Sequence, residues 1–311
     1  MNKPDIVFIG SAILDSIIKG FDPEPVSSAG YRAESGMLSA GGEAVNGSIA
    51  AAKLGVNAAI LCSLGNDGAG HMIAEQLEKN NVDTSRIAWS DERPTPITTI
   101  FVREDGDRMS ITNSAHKNNF HPEQYKESFT DAKAIIVGSL FRAPFNDTQV
   151  ISDVVKAAHE NGVMVFADTK LPNFVKLSLD DIAGSLRYVD YITPNEAEAC
   201  YYTGEEDPDR MADVFLSKGV RNVIIKLGGR GCFFKNSEGS MFLPAFGIDT
   251  VDATGAGDNF LAGFASEIIR GSSVKDALTF ANACGAICST AVGSGTALKD
   301  RAQVLEFMNK G

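Results

Sequence analysis

The run Ala134-Ile-Ile-Val137 is followed by Thr148-Gln-Val-Ile-Ser-Asp-Val-Val-Lys-Ala-Ala-His-Glu160 and then by Val163-Met-Val-Phe-Ala167. A short apolar run, an amphipathic helical pattern and a second apolar run make a strand–helix–strand unit. The same rhythm extends in both directions. Residues 6–9, 58–63, 191–193 and 223–227 read as further buried strands, and residues 44–54, 70–80 and 212–218 as helices between them. Continuous apolar strands separated by amphipathic helices predict a mostly parallel sheet covered on both faces. The expectation is therefore an α/β chain with a three-layer α/β/α architecture, organised as a single domain over residues 1–311.

Two regions break the rhythm. Residues 11–40 hold Phe21-Asp-Pro-Glu-Pro25 and no clear helix, and residues 94–114 carry β-rich runs on either side of Glu104-Asp-Gly-Asp107. An Asp-Gly turn between such runs is a hairpin signal. Both segments, about 11–40 and 94–114, are expected to form a small β sheet that acts as a lid.

The 311 residues carry a formal net charge of −12 and are 44% apolar. Such a chain repels phosphate backbones and anionic bilayers, so nucleic acid and membrane surfaces are poor partners. No stretch approaches the roughly 18 apolar residues of a membrane span, which predicts a cytoplasmic protein. The five cysteines form no CxxC pair and mostly lie in apolar runs, as reduced buried thiols do. The four histidines show no ligand spacing, so zinc is unsupported.

The chemistry concentrates in Thr250-Val-Asp-Ala-Thr-Gly-Ala-Gly-Asp-Asn-Phe-Leu-Ala-Gly-Phe264. Gly255, Ala256 and Gly257 leave backbone N–H groups bare at the positive end of a helix, which suits an anion. Asp258 follows at once and could take a proton beside that anion, although Asp also caps helices well. A second stretch, Ala40-Gly-Gly-Glu-Ala-Val-Asn46, places Gly41 and Gly42 where a ligand can approach the backbone. It sets Asn46 in the first turn of a helix, able to donate to and accept from hydroxyls. Gly-x-x-x-x-Gly-Lys-Ser/Thr is absent, and no Gly-x-Gly-x-x-Gly follows the first strand. Both the P-loop and the dinucleotide-binding reading fall away.

Together, in order and spacing, the two stretches resemble the signatures of the ribokinase-like (PfkB) carbohydrate kinases. The resemblance covers nearly the whole chain, lid strands included. It implies a ribokinase-like fold and ATP-dependent transfer of a phosphoryl group to an alcohol of a sugar, nucleoside or vitamin, with Mg²⁺. Asp258 would be the general base and Gly255, Ala256 and Gly257 the anion nest. Asp15, Gly41, Gly42 and Asn46 would hold the acceptor. Thr193-Pro-Asn-Glu-Ala-Glu198 matches the family's Asn-x-x-Glu motif, which puts Asn195 near the phosphates and Glu198 on hydrated Mg²⁺. Without the resemblance the same residues read as a capping box. Lys226-Leu-Gly-Gly-Arg-Gly231 resembles the nucleotide loop, with Gly228 and Gly231 passing the phosphates and ribose. Asn282 resembles a residue beside the adenine. Asp252, Thr254 and the 289–295 loop resemble a monovalent-cation (K⁺) site that some members use and others lack.

Two departures matter. Ribokinases proper carry Lys where this chain has Glu43, and an acidic residue near Phe141-Arg142. Ribose is therefore not the expected acceptor, and Arg142 is assigned to a carboxylate or phosphate on the acceptor; an exposed loop Arg is the plainer account. Lys170, in Asp168-Thr-Lys170, would reach the γ-phosphate as a basic residue does in some members. Relatives commonly pair their lid sheets, which extends to this chain as a homodimer. The alternatives are a nucleoside kinase of the same family, with Tyr31, Phe101 or Phe120 stacking on a purine, and a sugar-binding sensor without turnover.

Overall fold

The computed structural model describes residues 3–20, 33–102, 108–113 and 120–310. β1 (Ile6–Ile9) is buried throughout and lies inside an eight-stranded sheet. Its alternate side chains separate, Ile6 and Phe8 into one apolar cluster and Val7 and Ile9 into the other, as a period of two requires. β2 (Ile13–Lys19) and β3 (Ser35–Gly41) then pair antiparallel outside that sheet. The chain returns through α1 (Glu43–Lys53) into β4 (Ala58–Leu61), which pairs parallel with β1. β5 (Ser63–Gly65) and β6 (Ala88–Ser90) form a parallel two-stranded ribbon spanned by α2 (Gly68–Lys79).

β7 (Ile97–Val102) and β8 (Arg108–Thr112) pair antiparallel and join the earlier two strands in a four-stranded sheet ordered β3-β2-β7-β8. The two irregular regions of the sequence thus meet in one sheet. The Glu104–Asp107 turn, Phe21-Asp-Pro-Glu-Pro25 and Tyr31 lie outside the described residues.

The strand–helix–strand unit is built as its pattern predicts. β9 (Ala134–Leu140) is buried at every residue and β10 (Met164–Thr169) pairs parallel with it. α3 (Thr148–Glu160) joins them. Its N-cap Asp147 accepts from the N–H groups of Gln149 (2.8 Å) and Val150 (3.2 Å), and its buried stripe is Val150, Ile151, Val154, Val155 and Ala158. Each such fully buried Val or Ile is worth about 1.5–3 kcal/mol over exposure, so this stripe fixes the helix to its face of the sheet.

α4 (Ala183–Leu186), β11 (Tyr191–Ile192), α5 (Glu196–Thr203), α6 (Pro208–Ser217) and β12 (Asn222–Lys226) continue the parallel order. β13 (Gly231–Asn236) and β14 (Gly239–Pro244) then add an antiparallel edge, giving β14-β13-β12-β11-β10-β9-β1-β4. Their apolar residues, Cys232–Phe234 and Met241–Leu243, flank the turn between Asn236 and Gly239, and β14 is the edge strand. α7 (Ala256–Ile269), α8 (Val274–Cys288) and α9 (Arg301–Lys310) complete the chain.

Residues of α1, α2, α7 and α8 share one buried cluster and those of α3, α5 and α6 the other, so helices cover both sides of the sheet. The C-terminal ends of β1, β9, β10 and β12 open on the same edge, where ligands meet sheets of this kind. No described helix is long and apolar enough to cross a membrane.

Candidate active site

Side chains cap α2, α3, α5, α6 and α8 through Asp67, Asp147, Asn195, Asp207 and Ser273. α1, α7 and the single-turn α4 have no such cap, and α1 and α7 differ from α4 in how they begin. Each of these two starts after a glycine with positive φ, Gly42 at 96° and Gly255 at 79°. These two helix ends are therefore open, and they are the two that the sequence singles out. At α7 the Ala256 N–H donates to Ala253 O at 3.1 Å, closing its own turn. The N–H groups of Gly255, Gly257 and Asp258 take no partner among the described residues. The unspent N–H groups at this helix end are thus those of Gly255, Gly257 and Asp258, and not that of Ala256.

Packing explains both glycines. A Cβ on Gly42 would collide with Ser11 O, and one on Gly255 with the Cβ of Ser294. Neither position tolerates a side chain without moving the backbone that opens the helix.

Asp258 and Asn46, far apart in sequence, meet here. Asn46 Nδ2 donates to Asp258 Oδ2 at 2.8 Å, and Ser294 Oγ donates to Asn46 Oδ1 at 2.7 Å. Burial raises the Asp258 pKa to about 6, against the lowering effects of Lys170 and the Asn46 bond; Asp168 and Glu43 push it further up. A small cavity lined by Phe8, Glu43, Gly138, Asp168 and Asp258 separates α1 and α7 from the strand ends. Glu43, in the place of the expected Lys, folds back so that its Oε1 accepts from Ser11 N–H at 2.7 Å.

A second polar cluster adjoins the first. Asp168 is 3% exposed and accepts from Lys226 Nζ at 2.6 Å and Thr193 Oγ1 at 3.0 Å. Lys226 Nζ also lies 3.2 Å from where a Cβ on Gly257 would stand, so this ammonium faces the first turn of α7. Lys170 Nζ is 3.9 Å from Asp168 Oδ2. Burial would lower its pKa, but the carboxylates of Asp168, Asp258, Glu198 and Glu43 outweigh that and raise it. Tyr202 Oη donates to Lys170 O at 2.6 Å, and its ring stacks on Phe141 at 4.0 Å.

Asn195 and Glu198 form the capping box in full: Asn195 Oδ1 accepts from Glu198 N at 2.9 Å and Glu198 Oε2 from Asn195 N at 3.0 Å. Glu198 has a further connection. It is 4% exposed, accepts from Thr169 Oγ1 at 2.8 Å, and its pKa is raised by burial and by Asp168. A structural cap has no need of that depth or of an acidic neighbour.

The remaining residues lie around this centre. Asp15 is on β2, its carboxylate directly over Gly41, where a Cβ would collide with it. It takes no hydrogen-bond partner among the described residues, and burial raises its pKa to about 6. Asp252 is a clamp: Oδ1 accepts from Thr254 N (3.0 Å) and Oγ1 (2.7 Å), and Oδ2 from Gly293 N at 3.0 Å. Asn282 donates to Pro244 O at 3.2 Å, fixing one wall of a groove lined by Pro244, Phe246, Thr279 and Phe307. Gly228 opens a short 3₁₀ turn, and Gly231 packs against β14 where a Cβ would collide with Leu243 O. Arg142 is exposed and spends its Nε–H on Leu171 O at 2.7 Å. Phe101 and Phe120 are half-buried, Phe120 against Tyr125.

A family model described as pfkB family carbohydrate kinase matches residues 3–301. The 2-dehydro-3-deoxygluconokinase of Bacillus subtilis is 31% identical over 275 residues, 83% of each chain. The ribokinase of Haemophilus influenzae is 27% identical over 276 residues, 86% of this chain and 87% of that one. Among solved structures, Arabidopsis thaliana ribokinase complexed with ribose and ATP superposes with a TM-score of 0.87 at 25% identity, covering 99% of both chains.

Proposed function

We propose, from the premise that this chain belongs to the pfkB family of carbohydrate kinases, that it transfers the γ-phosphoryl group of ATP to a hydroxyl of a sugar or sugar-like acceptor, with Asp258 as general base. One observation carries the reading. The half-buried Asp258 carboxylate stands at the uncapped end of α7, held by Asn46, with two lysines converging on the adjoining Asp168. A base with a raised pKa beside unspent N–H donors is suited to removing a proton where negative charge is being held.

Asp15 and Asn46 fix the acceptor, and the backbone at Gly41 and Gly42 lets it approach. Asp258 accepts the proton of the attacking hydroxyl. The N–H groups of Gly255, Gly257 and Asp258 hold the transferring group, and Lys226 and Lys170 neutralise oxygens beside it. Arg142, on the exposed rim, is left to an anionic substituent of the acceptor. The adenine lies in the groove beside Asn282, and the chain from Lys226 through Gly228 and Gly231 borders the phosphates. The four-stranded sheet closes over the acceptor as a lid and excludes water.

Mg²⁺ fits the donor set at Glu198. Oε2 is taken by Thr169 and Asn195, leaving Oε1 of a deep carboxylate for the waters of a hard cation, with Asn195 alongside. When bound, Mg²⁺ supplies charge neutralisation on the phosphates. Asp252 and Thr254 would border a K⁺ ion beneath the nest.

A screen of ADP release over sugars, polyols, sugar acids and nucleosides, run in potassium and in sodium salts, tests the reading. A sugar-like acceptor should turn over with Mg²⁺. Release with nucleosides alone, or with none, would overturn it. Asp15→Asn should raise the acceptor KM about 100-fold, because charged hydrogen bonds to two hydroxyls are lost, and leave the ATP KM in place. An unchanged acceptor KM would remove Asp15 from the acceptor site. Leu38, Met109 and Ile111 are exposed on one face of the small sheet, and pairing two chains on that face would cover them. Light scattering should then give a dimer mass; a monomer mass at micromolar concentration would exclude that pairing.

A further inference from the structure

We infer that Ser294 is a positioning residue for the transfer, its hydroxyl fixing which way the Asn46 amide faces Asp258. The inference rests on the reading of Asp258 as the base. An ionised carboxylate can only accept hydrogen bonds, so Asn46 must turn its Nδ2 toward Asp258. That leaves Oδ1 on the opposite side, and Ser294 Oγ meets it at 2.7 Å as a donor. Were the amide reversed, two acceptors would face each other at Asp258, and the 2.8 Å contact there could not form.

Ser294 is itself held from several directions. Its carbonyl accepts from Asn259 Nδ2 at 2.9 Å, from the residue next to the base. The preceding Gly293 N–H donates to Asp252, and Lys53 Nζ donates to Gly295 O at 2.6 Å and Leu298 O at 3.0 Å. Lys53 and Asn46 lie on the same helix, two turns apart. α1 therefore grips the 294–298 segment at both ends of its own contact with it, while α7 grips it through Asn259. The hydroxyl of Ser294 is what this frame delivers to the site, and Ala or Gly in its place would deliver nothing.

Ser294→Ala should lower kcat about five- to tenfold, the worth of one hydrogen bond, with the ATP KM and the unfolding temperature little changed. Ser294→Thr, which keeps the hydroxyl, should restore most of it. In an Asn46→Ala background Ser294→Ala should have no further effect, since no amide is left to orient. A loss that adds in full to that of Asn46→Ala would show a merely structural role and overturn the inference, as would an unchanged kcat or a Thr variant no better than Ala. The base reading is tested apart from this: Asp258→Asn retaining turnover sinks both, whereas an inactive Asp258→Asn with additive Ser294 and Asn46 effects sinks only the role of Ser294.

Discussion

Asp258→Asn is expected to lower kcat by about 10²–10⁴-fold, the usual worth of a general base, while ATP binds within about twofold of the parent. The amide keeps the size of the side chain and an oxygen for Asn46 Nδ2, so the geometry at 2.8 Å survives and only the proton acceptor is lost. A variant keeping more than about a tenth of the parental kcat would remove Asp258 from the base role. The pH profile gives the same test without a mutation. Burial raises the carboxylate of the free protein to about 6, and the base works only when ionised, so kcat/KM should fall as the pH drops through about 6. Asp15 is raised to about 6 as well and should add to the acid limb of kcat/KM in the free enzyme. In Asp15→Asn that contribution disappears and the limb due to Asp258 remains. Stability separates the two losses a mutation can cause. A raised carboxylate pKa means the native state holds the proton more tightly than the unfolded chain, so ionisation above about pH 6 costs stability. Asn removes that cost, and Asp258→Asn should unfold no earlier than the parent at pH 8.

The parts of the site that are legible in the sequence are those whose physics is local. A helix opening with Gly42 or Gly255 instead of a capping side chain is visible as spelling, and so is the Asn195–Glu198 capping box. The parallel core is equally plain, because β1 and β9 are buried at every residue and leave unbroken apolar runs. Contacts between distant segments leave no such trace. Ser294 is legible only as one member of the 289–295 loop, with nothing in Val292-Gly-Ser-Gly295 to tie it to Asn46, 248 positions away. Asp168 stands out only weakly in Asp168-Thr-Lys170, until the sheet brings Lys226, 58 positions on, to 2.6 Å. The antiparallel hairpin of β13 and β14 is harder to read because its apolar runs, Cys232–Phe234 and Met241–Leu243, are only three residues long and sit on either side of a polar turn. Glu43 is legible as a departure, but its direction is not: it bonds to Ser11 N–H and packs beside Gly10 and Gly138. Its charge therefore acts on Asp258 and Lys170 from behind the site.

Gly255→Ala is expected to cost about 10²–10³-fold in kcat, as losing one donor of an anion hole does. Two effects of the added methyl combine. The φ of 79° disfavours any L side chain by roughly 1–2 kcal/mol. The Cβ would also collide with the Cβ of Ser294 and lie 2.8 Å from its Cα. Either the first turn of α7 rotates and carries the N–H groups of Gly255 and Gly257 out of line, or the 294–298 segment retreats and takes its hydroxyl from Asn46. Both routes end at Asp258. Gly271→Ala is the control, because Gly271 has φ 87° just beyond the other end of α7 but nothing within 4 Å of its Cβ position. It carries the same backbone strain without the collision, so it should lower the unfolding temperature and leave kcat intact. Equal kcat losses in the two variants would mean that strain in α7, rather than the fit of Gly255 against Ser294, governs turnover, and the nest would have to be placed elsewhere.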